Sequence, residues 1–160
     1  VKKNSIMENF LYFRTQATLA NDDDIAQSAM FPVSSFLGCY PISDTTLKLH
    51  FKSQFMQGVA ATRVIQQDTD LTTASIMVEQ PHDLLTDNVI LTITTNTHKD
   101  VMQALASAMS KTPALTSGFV VVADDISTGT SYLYKDITAC GAITVRTAAV
   151  GSDSYSSTFA

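Results

Sequence analysis

The side chains able to do chemistry are few and scattered. Asn21-Asp22-Asp23-Asp24 sets three carboxylates side by side, which could offer oxygen ligands to Ca²⁺. An EF-hand loop, however, alternates its ligands, carries a mid-loop glycine and closes with a distal glutamate. None of that is arranged here, so the run reads as a solvated turn. Asp124-Asp125 ends the apolar run Phe119 to Ala123. Acids at an α/β strand end can hold a metal, but strands routinely end in Asp, and this pair reads as turn residues. His98 and Asp100 stand at i, i+2 on an expected helix, where side chains point apart, so they form no dyad. His50 has no metal-ligand partner at i±2 or i+4 and falls on the wet face of a strand. Cys39 and Cys140 allow one pairing without a framework around it; they are two buried thiols or an inter-strand disulfide. No G-x-S-x-G, G-x-G-x-x-G, P-loop, H-E-x-x-H or C-x-x-C is present. The sequence therefore predicts no catalytic residue, no metal ligand and no cofactor.

The elements that would position these groups are clearer. Asp87 to Lys111 reads as one strand running into one helix. Val89, Leu91, Ile93 and Thr95 alternate with Asn88, Ile90, Thr92 and Thr94, a period-2 pattern rich in β-branched residues. Val101, Met102, Leu105, Ala108 and Met109 then form one helical stripe, with Lys99, Gln103 and Ser107 opposite. Thr97 is placed to cap the helix, Asp100 suits its positive end, and Pro113 stops it.

The cleanest strand is Thr46 to Phe55. It sets Leu47, Leu49, Phe51, Ser53 and Phe55 on a buried face and Thr46, Lys48, His50, Lys52 and Gln54 on a wet one. Phe10 to Gln16 is apolar in both parities, which predicts cover on both faces. Ala29 to Pro41 is broken by Pro32, Gly38 and Pro41 and reads as a short edge strand plus a packed loop, with Phe31, Phe36 and Tyr40 inserted in the core or against another chain. Ile42 to Thr45 is a turn. Val59 to Gln67 and Thr73 to Glu79 are further strands. Gly118 to Ala123 is a central strand, Tyr132 to Tyr134 another. The last strand puts Ile137, Ala139, Gly141, Ile143 and Val145 on one face, with Gly141 marking a bulge or a close backbone approach.

The totals agree with a globular protein. The chain has 160 residues, 45% hydrophobic and 16% charged, with a formal net charge of −5. A chain of this size buries roughly 70% of its unfolded surface without staples. No basic stripe is available for nucleic acid, and no apolar run is long enough to span a membrane as a helix. The opening Val1-Lys2-Lys3-Asn4-Ser5 is basic, but no apolar stretch follows it as in a signal peptide.

Several phrases carry a family likeness. They are Phe10-Leu11-Tyr12-Phe13-Arg14, Phe31-Pro32-Val33-Ser34-Ser35, Gly38-Cys39-Tyr40-Pro41, Asp44-Thr45-Thr46-Leu47, Val89-Ile90-Leu91-Thr92-Ile93, His98-Lys99-Asp100-Val101 and Ile137-Thr138-Ala139-Cys140-Gly141. With their strand order they resemble small virion proteins of tailed phages, especially those infecting marine cyanobacteria and related marine bacteria. The resemblance implies a non-enzymatic role such as capsid decoration. It implies self-association and contact with virion proteins such as the major capsid protein, on a particle assembled in the host cytoplasm.

The expected architecture is α+β and β-dominated: an antiparallel sandwich or barrel of about seven to nine strands with one main helix at about 97–111. Residues 1–9 are expected to form an arm, 10–150 one β-rich domain and 151–160 a polar tail. Chain ends of this composition stay disordered unless tied down. Ile6 and Phe10 on one arm, and Tyr155 and Phe159 on the other, are the candidate anchors on neighbouring subunits, because aromatic side chains bury large areas at interfaces. The alternative function is a surface β-module binding a carbohydrate or small ligand, which would need exposed aromatics on a sheet face.

Overall fold

The computed structural model describes residues 8–53, 86–113 and 117–145. Within them, β1 (Phe10–Arg14), β2 (Ser28–Pro32), β6 (Phe119–Asp124) and β7 (Ser131–Tyr132) make a first sheet in the order β2-β1-β6-β7. A second sheet holds β3 (Phe36–Ser43), β4 (Thr46–Lys52), β5 (Thr86–Ile93) and β8 (Ile137–Thr144) in the order β3-β4-β5-β8. One α-helix, α1 (His98–Ser110), and two short 3₁₀ turns, Leu19–Asn21 and Val33–Ser35, complete the described elements. The fold is the expected β-dominated α+β sandwich. The strands predicted at Val59 to Gln67 and Thr73 to Glu79, with Phe55, lie outside the described residues.

The core follows from alternation. Leu47, Leu49 and Phe51 of β4 are fully buried while Lys52 is exposed. Phe51 is where the sheets meet. Its ring stacks on Phe31 of β2 at 4.2 Å and 10° and meets Phe13 of β1 edge-on at 5.9 Å. Leu11, Val120 and Val122 from the first sheet and Val89, Leu91 and Ile93 from the second join the same cluster. Two inner faces interdigitating in this way define a sandwich.

Helix α1 links the sheets. Val101, Leu105 and Ala108 are buried, and Lys99, Gln103 and Ser107 are exposed, as the stripe predicts. At its start, His98 Nε2 donates to the Ser43 carbonyl at 2.8 Å, and at its end Asn9 Nδ2 donates to the Lys111 carbonyl at 2.6 Å. Asn9 is itself buried. The expected Thr97 cap is not made: Thr97 Oγ1 donates to the Thr94 carbonyl at 2.7 Å instead. The reason is backbone geometry. Thr97 sits at φ −100°, ψ 16°, not in the extended conformation an N-cap needs.

Other details differ from the pattern read in the sequence. β1 pairs with β6 in parallel; the other strand pairs are antiparallel. Strand β3 runs through Pro41 to Ser43, where a turn was expected. Proline is tolerated because β3 stands at the edge of its sheet, with register shifts on both sides of it. His50 is buried, not wet: its ring stacks on Tyr40 at 5.1 Å and 20°, and Nδ1 lies 3.0 Å from Thr86 Oγ1. Along β8 the strict alternation fails. Register shifts opposite Val89/Leu91 and Thr92/Ile93 each add a residue to β8, so Ile137, Cys140 and Ile143 are the buried set. The close approach predicted at Gly141 is present: a Cβ there would stand 2.8 Å from the Ile90 carbonyl oxygen.

Candidate functional site

The acidic residues are drawn into two structural ties. Arg14 ends β1 with its side chain almost fully buried, so its donors need fixed acceptors. The loop after β1 supplies them. Arg14 Nε donates to the Gln16 carbonyl at 2.8 Å, Nη2 to the Thr18 carbonyl at 3.3 Å and Nη1 to Asp22 Oδ2 at 2.8 Å. Asp124 Oδ1 stands 3.9 Å from Nε. Asp22 is thus the ion partner of a buried guanidinium, while Asp24 Oδ1 accepts the Ala26 amide at 2.9 Å as a turn residue does. Asp124 also behaves as a turn residue, accepting the Ile126 amide at 3.1 Å.

Asp125 does more than its neighbour. It accepts the Tyr132 hydroxyl at 2.8 Å and, with both oxygens, the Cys140 amide at 3.1 and 3.0 Å. Burial, then the hydrogen bond to the Asp125 carboxylate, pushes the Tyr132 hydroxyl up to about 12. Burial, then the Asp125 charge, pushes the Cys140 thiol up to about 12 as well. A thiol held protonated in this way is a poor nucleophile. Cys39, half-buried on the other edge strand of the second sheet, is raised by burial. Both thiols are free.

The other sequence candidates are not brought together. His98 is engaged with Ser43 and Asp100 is exposed. His50 is held by Tyr40 and Thr86 in the second sheet. Among the described residues no group of three His, Cys, Asp or Glu side chains could hold a metal ion, and no helix is long and apolar enough to cross a membrane.

The feature that stands out is a surface. Alternation along β1 turns Leu11 and Phe13 inward and Phe10 and Tyr12 outward. Pairing sets Pro32 and Phe119 beside Phe10, and Met30 and Val121 beside Tyr12. The outer face of the first sheet therefore carries two apolar rows. The Tyr12 and Phe119 rings lie 5.1 Å apart, and Met30 and Phe119 are 44% and 46% exposed. At the far end of this face the loop over Arg14 carries Leu19, also strongly exposed. Of the four predicted anchors, Phe10 falls on this face, half-buried; Ile6, Tyr155 and Phe159 lie outside the described residues. The apolar character of β1 in both parities was the signal for this face; among the described residues its Phe10 and Tyr12 are half-buried, and Met30 and Phe119 on the neighbouring strands are exposed.

The fold and this face define a β-sandwich protein whose described polar clusters serve as ties between strands. No protein-family profile, no curated protein and no solved structure matches the chain.

Proposed function

We propose that this chain is a non-enzymatic structural protein of a phage particle, one that decorates or cements a capsid lattice or forms another self-associating part of the particle. The observation that carries the reading is the apolar outer face of the first sheet, with Phe10, Tyr12, Met30 and Phe119 turned away from the core. Contiguous exposed apolar surface marks an interaction site, since covering it gains roughly 25 cal/mol per Å². The titratable groups support it in a second way: Arg14, Asp22, Asp125 and Tyr132 are committed to one another or to backbone groups. The phage assignment itself rests on the sequence phrases between positions 10 and 145.

Mass spectrometry of gradient-purified particles, from a marine bacterial culture carrying the gene, tests this. The chain should co-purify with intact particles in stoichiometric amount. Recovery only from the soluble fraction of infected cells would overturn the reading.

A second reading, a surface β-module for a carbohydrate or small ligand, is favoured by one observation: half-buried Tyr12 and exposed Phe119 form an aromatic pair on a sheet face. It predicts saccharide-dependent shifts in the Tyr12 ring resonances of the isolated protein, which the structural reading does not.

A further inference from the structure

We draw no further inference here: the strongest candidate, the apolar surface patch of Phe10, Tyr12, Met30 and Phe119 on the outer face of the first sheet, belongs to the site already described, and nothing in the structure shows what covers it.

Discussion

The carboxylate of Asp125 grips the backbone amide of Cys140 with both of its oxygens, at 3.1 and 3.0 Å. Asp125 follows β6 in the first sheet, and Cys140 lies in β8 at the edge of the second. Alternate amides of an edge strand point away from the sheet and need acceptors from elsewhere. Here one side chain closes the gap between two sheets, while its own amide donates to the Arg14 carbonyl of β1 at 3.1 Å.

Replacing Asp125 by Ala should therefore be costly for a loop residue. It strands the Cys140 amide and the Tyr132 hydroxyl together. A loss of about 2–3 kcal/mol is expected from removing a charged acceptor and leaving a part-buried donor unpaired. Asp125→Asn keeps one acceptor oxygen and should lose less. Urea denaturation of the two variants beside wild type measures this. Equal stability of Asp125→Ala and wild type would show that the tie carries no energy.

Alkaline stability should depend on the same cluster. Tyr132 and Cys140 hold their protons up to about 12 in the folded chain, against ordinary values of 10.0 and 9.0. Between those limits the folded state binds more protons than the unfolded one, so stability falls as pH rises. The stability from both groups is fully present below pH 9, starts to fall there for Cys140 and above 10 for Tyr132, and is lost as pH passes about 12. Melting curves across this window should steepen downward in the wild type. Tyr132→Phe should flatten the part above pH 10, since phenylalanine releases no proton. An unaltered profile in Tyr132→Phe would exclude Tyr132 as a cause.

Local pattern made part of this fold legible. The period-2 run of β4 and the stripe of α1 are properties of neighbours in sequence, and the structure keeps both. What escaped depends on partners that sequence spacing does not specify. Asp124 and Asp125 carry the same turn signal, yet Asp125 has Cys140 brought to it by a strand fifteen residues on, whereas Asp124 serves its own turn. His50 alternates onto an outer face, but Tyr40 and Thr86 close around it from two other strands. The bulges of β8 shift parity in a way that only the pairing with β5 reveals. The candidate site follows the same logic. Phe10 and Tyr12 are apolar in the sequence, but whether anything covers them is decided by the whole sheet.

Leu49→Ala tests the face assignment of β4. Leu49 is fully buried mid-strand, so truncation removes transfer free energy and leaves a cavity between packed sheets. The expected cost is about 2–5 kcal/mol. A melting temperature within a degree or so of wild type, where about 2–4 °C would accompany each kcal/mol, would reject it.

The helix gives a contrast within one turn. Leu105→Asp should abolish folding, because it sets a carboxylate without a partner among Val101, Ala108 and the sheet core. Gln103→Asp lies on the exposed side and should change stability by less than about 0.5 kcal/mol. Circular dichroism of both purified variants reads the outcome directly. A folded Leu105→Asp alongside an unfolded Gln103→Asp would mean that the helix is turned the other way.

Gly141 and Gly129 offer the sharpest comparison, since the same substitution should act in opposite directions. A Cβ on Gly141 would fall 2.8 Å from the Ile90 carbonyl oxygen and 3.3 Å from Ile90 Cβ and Cγ2. That oxygen belongs to the backbone of β5, which is paired on both sides with β4 and β8. It cannot withdraw without disturbing a ladder, so Gly141→Ala should cost about 1–3 kcal/mol as an overpacking strain. Gly129 has no atom within 4 Å of its would-be Cβ, and its φ is not in the left-handed range. Alanine there restricts the unfolded chain more than the folded one, so Gly129→Ala should be neutral or stabilising by up to about 1 kcal/mol. Thermal melts of the two variants decide the matter. If Gly141→Ala melts at or above wild type, the Gly141–Ile90 contact is looser than described, and the bulged register of β8 is wrong at that point.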